Sequence, residues 1–288
     1  MKVSGFTFLR NGNMLGFPFV ESIKSALPLC DEFIVNVGDS EDDTLETVKA
    51  IGDPKIRIIQ SRWNERMTTK GYVYGQQKNI AHFNCAGDWA FYLEADEVLH
   101  EDDLPKIKQK MQEYLEDERV EALVFDYIHF YGNYLTCVSG PGWYRRAPRI
   151  IKNKLRSYSP DGLFFVILTS NKKGRYPRAA LADATVYHYG WIRSEKQMNE
   201  KFKRVSRYWG KAGSAIDYSH IAASFLNEFK GTHPAVMRSR LSQNPATSLF
   251  KANPDHVLTK REKRHSWAMV LEKMLGLDLS KKHFKLIK

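Results

Sequence analysis

The first sixty residues alternate two periodicities, and that alternation limits the folds open to this chain more than any other feature. Short apolar runs at 3–9, 33–37 and 56–59 have the length and the β-branched or aromatic content of buried strands. Between the first two, Val20, Ile23 and Leu27 recur at helical spacing behind Pro18. Between the second and third, Leu45 and Val48 do the same after 38–44, a turn rich in helix-capping residues. Pro28 and Asp53-Pro54 end the two helices. Strand, helix, strand, helix, strand in so short a span specifies a parallel, doubly wound sheet.

The pattern continues with less regularity. Residues 62–75 read as a polar loop and 76–85 as a helix. The run from Trp89 to Leu93 reads as a fourth strand, and Leu104, Ile107, Met111 and Leu115 mark an amphipathic helix over 102–117. A fifth strand is expected at 120–127, continued by Phe130 and Tyr131. From 132 to 160 the pattern breaks up among glycines, prolines and the arginines 145, 146 and 149. Strands are expected again at 163–168 and 184–189. A helix then carries Met198, Phe202, Val205, Trp209 and Ala212 inward, with Lys196, Lys201, Lys203, Arg204, Arg207 and Lys211 around it. A last amphipathic segment holds Trp267, Val270, Leu271 and Met274.

Charge divides the chain in two. Residues 1–193 hold 25 Lys and Arg against 25 Asp and Glu, whereas 194–288 hold 19 against 8 and so carry the whole net charge of +11. This suggests two parts with different roles, 1–193 and a basic, mainly helical region at 194–288 with an anionic partner, such as a membrane surface or an acidic acceptor. No apolar run is long enough to span a bilayer, the longest being 163–168. The N-terminus does not resemble a secretory signal, so the expected compartment is the cytoplasm. The cysteines, Cys30, Cys85 and Cys137, have neither disulfide-framework nor zinc-site spacing.

The chemistry concentrates where the fourth strand ends, in Glu94-Ala-Asp96-Glu97. Carboxylates two apart on an extended segment point the same way and repel unless a cation lies between them. Mg²⁺ or Mn²⁺ suits such oxygens and shares them with substrate phosphates. Strand ends are also where open α/β sheets bind ligands. Read alone, the same acids make an ordinary polar turn.

The order of these pieces resembles the GT-A fold glycosyltransferases of the family 2 type, in the branch that builds bacterial surface polysaccharide and lipopolysaccharide. The likeness covers residues 1–193. Arg10-Asn11 after the first strand resembles that family's opening. Gly38-Asp-Ser-Glu-Asp-Asp-Thr44 resembles its Asp-Gly-Ser-x-Asp-x-Thr element with the first two residues transposed. Tyr92-Leu-Glu-Ala-Asp-Glu97 resembles its DxD segment with Glu94 in place of the first Asp. His188-Tyr-Gly190 resembles a late histidine that often joins the metal.

The resemblance implies a mixed, mostly parallel GT-A sheet flanked by helices, a UDP-linked nucleotide-sugar donor, and inverting transfer to a glycan or lipid-linked acceptor. It implies Mg²⁺ or Mn²⁺ held by Asp96 and His188, with Glu94 between metal and donor. Arg10, Asp39, Lys78 and Asn79 would contact the nucleotide, although Asp39 also suits a helix cap and Lys78 and Asn79 a solvated helix face. The base expected after the fifth strand falls to Asp161, within the turn sequence Ser159-Pro-Asp-Gly162, with Asp126 and Asp183 in reserve. Two rivals stand beside this reading. A sugar-phosphate nucleotidyltransferase would need a Gly-rich phosphate loop, to which 10–16 is faintly similar. A nucleic-acid-binding protein would use the basic region but leaves the strand-end acids unexplained.

Overall fold

The structure, a computed structural model, describes residues 1–210 and 215–287. The first part of the chain runs β1 (Val3–Leu9), α1 (Phe19–Ala26), β2 (Glu32–Gly38), α2 (Thr44–Lys49), β3 (Ile56–Ser61), α3 (Tyr72–His82), β4 (Trp89–Tyr92), β5 (Glu97–Leu99) and α4 (Leu104–Glu113). Next come β6 (Ala122–Tyr131), β7 (Asn133–Val138), β8 (Arg146–Lys152), β9 (Ser157–Tyr158), β10 (Val166–Leu168), β11 (Gly174–Arg175) and β12 (Arg178–Trp191). The last third adds α5 (Glu195–Ser206), β13 (Leu226–Glu228), α6 (Arg238–Gln243), α7 (Lys260–Leu275) and β14 (Lys285–Leu286).

The main sheet has the order β13-β7-β6-β8-β4-β1-β2-β3, with β12 beside β6 and with β5 and β14 on β12. β4, β1, β2 and β3 are parallel. β8 enters antiparallel between β4 and β6, and β12 runs parallel to β6. This is the mixed GT-A type of sheet that the sequence led us to expect. Both of its faces are covered, which is why β4 is apolar throughout. Trp89 and Phe91 enter one cluster with Ile23, Val35, Ile107 and Met111, from α1, β2 and α4. Ala90 and Tyr92 enter the other with Phe6, Ala81 and Phe165.

The structure departs from the sequence reading in several places. Residues 132–160 are not irregular: they hold β7, β8 and the two-residue β9. The strand expected at 163–168 shrinks to 166–168 and joins a separate small sheet, β11-β10-β9. α3 starts at Tyr72, because Gly71 adopts a φ of 68° and turns the chain into the helix. β12 is 14 residues long, and its pairing with β6 shifts between Leu181 and Thr185, where Asp183 takes a φ of 51°.

The line drawn at 193/194 is not a seam. α5 packs Met198 with Tyr131, Tyr218, Trp191 and Phe202, and Tyr208 just beyond it packs on Trp63 and Val73. Core packing, rather than a lipid surface, therefore takes the α5 stripe. Lys211 and Ala212 of that expected helix lie outside the described residues.

Candidate active site

Two neighbouring parallel strands end at one cavity, and each end delivers charged side chains: Arg10 follows β1, and Glu94 and Asp96 follow β4. Asp39, after β2, lies beside it. The order β3-β2-β1-β4 places the switch point between β1 and β4, where sheets of this kind leave a crevice. A cavity of about 230 Å³ opens there, lined by Arg10, Glu94, Asp96, Asp161 and Lys201 among aromatic walls of Phe8, Trp63, Tyr74 and Trp209.

The acidic loop is fixed by its own backbone. Ser22 Oγ donates to the Glu94 carbonyl at 2.9 Å, and the Tyr189 N–H donates to the Asp96 carbonyl at 2.8 Å. β5 pairs antiparallel with β12, setting His188 opposite Glu97. This brings Asp96 Oδ1 to 3.7 Å from His188 Nε2. His188 Nδ1 lies 2.8 Å from Nδ1 of His129, whose Nε2 reaches the Tyr144 carbonyl at 2.7 Å. Burial lowers the His188 pKa, and Asp96 opposes that shift. The other Asp96 oxygen accepts from Arg193 at 3.0 Å and Lys201 at 3.5 Å. Although Asp96 is buried, Lys201, His188 and Arg193 together hold its carboxyl well below the usual range. Burial and the adjacent Arg193 lower the Lys201 ammonium to about 8.

Asp96 and His188 fit one divalent ion. A neutral imidazole and a carboxylate face each other, and the second ring nitrogen is tied down, as metal-bound histidines require. Gly190 keeps the space open: a Cβ there would fall 2.5 Å from His188 Nε2 and 3.2 Å from Asp96 Oδ2. Glu94 does not complete a triad, and among the described residues no group of three His, Cys, Asp or Glu is arranged around an ion. Its carboxylate accepts from Arg149 at 2.9 Å instead. Arg149 also grips fully buried Glu97 at 2.6 and 2.7 Å, and Tyr127 donates to Glu97 at 2.9 Å. Burial and then Glu97 push the Glu94 carboxyl up to about 8, while a quarter of its side chain faces the cavity.

The other expected residues divide. Arg10 lines the cavity, donates to the Asp39 carbonyl at 2.9 Å and pairs with Glu65. Asp39 is half-exposed and lines a neighbouring polar pocket with Ser61 and Arg62. Lys78 and Asn79 are not available to a nucleotide. Lys78 is wholly buried, its ammonium 3.7 Å from the Tyr92 ring centre and bonded to the Gly162 carbonyl at 3.1 Å. Asn79 engages the Ser159 backbone through both side-chain atoms, at 2.8 and 2.9 Å. Both residues secure the turn that carries Asp161. Asp161 accepts from the Leu163 N–H at 3.0 Å, and burial raises its pKa. Of the reserves, Asp126 pairs with Arg146, and Asp183 pairs with Lys110 on α4.

Sequence reasoning did not assign Arg193, Lys201 and Trp209 to the site. They lie beyond the acidic motif, and only the folding of α5 over the cavity brings them to it. It also missed Arg149 as the partner of Glu94 and Glu97, because β8 went unseen.

The chain belongs to glycosyl transferase family 2, whose profile matches residues 18–165. An uncharacterized glycosyltransferase of Rickettsia typhi is 24% identical over 205 residues, covering 69% of this chain and 64% of its own length. A counterpart in Rickettsia prowazekii matches to the same extent, so the chain spans 64% of these curated relatives. Among solved structures, the UDP complex of S. aureus TarS residues 1–349 superposes with a TM-score of 0.40 and 16% identity, over 70% of this chain and 64% of that one. Among the described residues no helix is long and apolar enough to cross a membrane.

Proposed function

We propose that the protein is a metal-assisted, inverting glycosyltransferase that moves a sugar from a UDP-type donor to a glycan or lipid-linked acceptor. It would act in the cytoplasm at the inner membrane face. The observation that carries this reading is the Asp96–His188 pair at the floor of a strand-end cavity whose wall carries Lys201. Family membership favours it over the nucleotidyltransferase and nucleic-acid alternatives.

Asp96 and His188 would hold Mg²⁺ or Mn²⁺, and the bound ion would neutralise charge on the diphosphate leaving group. Arg193 and Lys201 bring two further cations to that place. Asp39 and Arg10 bind the nucleoside side, and Trp63, Tyr74 and Trp209 offer faces to the base. Asp161, with its pKa raised by burial, takes the proton of the acceptor hydroxyl. The acceptor oxygen bonds to the anomeric carbon as the bond to the diphosphate oxygen breaks. The nucleoside diphosphate departs with that electron pair, and the carbon inverts. A second reading gives the base role to Glu94, which borders both this cavity and a neighbouring one of about 220 Å³ lined by Tyr144, Arg146 and Arg149.

Thermal stabilisation by a panel of nucleoside diphosphates, with and without Mn²⁺, tests the donor site. UDP with Mn²⁺ should stabilise most, and Asp96→Ala should lose the metal-dependent part. No stabilisation by any member of the panel overturns the proposal. Asp161→Asn should lower kcat at least about a hundredfold with donor binding kept; if Glu94→Gln alone does so, the base is Glu94.

A further inference from the structure

Helix α7 presents two unlike faces. Its start is fixed by a capping box between Thr259 and Glu262. Its inner face meets the body of the protein. Met269 packs beside Tyr131 and Phe225, and Glu272 takes Arg145 at 2.6 and 3.0 Å. A Cβ on Gly142 would come within 2.7 Å of the His265 ring. The opposite face has no cover. Trp267, Val270, Leu271, Met274 and Leu275 are 72%, 49%, 47%, 74% and 61% exposed. Their spacing of three and four sets them on one stripe, and exposed Leu277 and Leu279 extend it. Contiguous apolar surface of this kind marks a site of association.

Charge identifies the partner. Lys260, Lys263 and Arg264 lie exposed on the same outward side, one turn ahead of the stripe, and exposed Lys281 and Lys282 follow it. The acids of the segment are turned onto protein partners: Glu262 onto His256, Glu272 onto Arg145, and Asp278 onto Arg145 and Lys282. The outward face therefore pairs apolar side chains with positive charge alone, the composition of a helix that lies in an anionic lipid interface. A helix–helix dimer face would carry charges of both signs at its margins.

We propose that α7 docks the protein on an anionic bilayer. The Trp267–Met274 stripe enters the boundary between headgroups and acyl chains, and Lys260, Lys263 and Arg264 rest on the headgroups. Docking there also positions the site. Gly142, against which α7 packs, and Lys281 both line the second cavity that Glu94 borders. That cavity therefore lies against the helix that meets the lipid, close to where a lipid-linked acceptor would be presented. That consequence rests on the glycosyltransferase reading; the docking itself does not.

Co-sedimentation of the full chain with phosphatidylcholine vesicles, alone or mixed with phosphatidylglycerol, tests the proposal at low and high salt. Binding should require phosphatidylglycerol and weaken with salt. K260E/K263E/R264E should lower the partition constant by about fivefold or more per residue changed, and W267E/M274E should lower it to the level of neutral vesicles. Both variants should keep the wild-type melting temperature and nucleotide affinity, which separates lost docking from lost folding. Equal binding to both vesicle types, or none, overturns the proposal. So does a dimer in sedimentation velocity that W267E/M274E dissolves, because the stripe would then belong to a second copy. Failure of the wild type to bind any nucleotide would count against the donor site and leave the vesicle result standing.

Discussion

At the scale of single residues, the site depends on buried charges that hold one another. Arg149 is the clearest case, since Glu97 is wholly buried and takes its guanidinium by two bonds. Removing one partner leaves an uncompensated charge in the interior. Arg149→Met should therefore cost about 3–5 kcal/mol in denaturant unfolding, and adding Glu97→Gln should restore part of the loss. His82 makes a different prediction. It stacks on Phe6 at 5.1 Å, and burial, with Lys78 nearby, lowers its pKa to about 3. An unfolded imidazole takes its proton near 6.5. Between these values the unfolded chain binds the extra proton, so the stability linked to His82 is whole above about pH 6.5 and is lost as pH falls toward 3. His82→Phe should flatten the acid side of the stability profile by up to about 1.4 kcal/mol per pH unit. An unchanged slope in denaturant unfolding would show that His82 is not the group responsible.

Among the elements, α5 does the most that its sequence does not announce. It begins at a serine cap, Ser194, which accepts from the Gln197 N–H, and it lays Lys201 beside Asp96. Lys201→Met should lower nucleoside diphosphate affinity by about tenfold or more, the range of a charged hydrogen bond, and leave nucleoside affinity unchanged in calorimetry. Equal losses for both ligands would make Lys201 a packing residue only. The parallel strands were legible because β1, β2 and β4 are buried on both faces and rich in apolar, β-branched or aromatic residues bounded by turn signals. β8 was not, because Arg149 and Pro148 interrupt it with features that suggest a loop. Its burial makes sense only beside Glu94 and Glu97, which lie more than fifty residues earlier. Asp96 and His188 could be matched to a motif and do meet. Lys78 and Asn79 also matched, but their side chains serve the Asp161 turn, a contact across about eighty residues that no local pattern encodes.

For the whole molecule, the charge split of the sequence does not mark two bodies. The basic third supplies cations to acids of the neutral part: Lys201 to Asp96, Arg204 to Glu41, and Arg207 to Glu65. Part of what remains exposed lies on α7, far along the chain from the segment that the family profile matches. The two sides of the strand-end cavity are thus held by different forces. The Tyr189 N–H to Asp96 carbonyl bond ties the floor into a backbone ladder, while α5 above it is fastened by the packing of Met198 and by ion pairs, of which Arg204 with Glu41 is exposed. Dissolved salt weakens exposed ion pairs and leaves buried backbone hydrogen bonds nearly untouched. Ionic strength therefore loosens the exposed fastenings of α5 and leaves the floor of the cavity as it is.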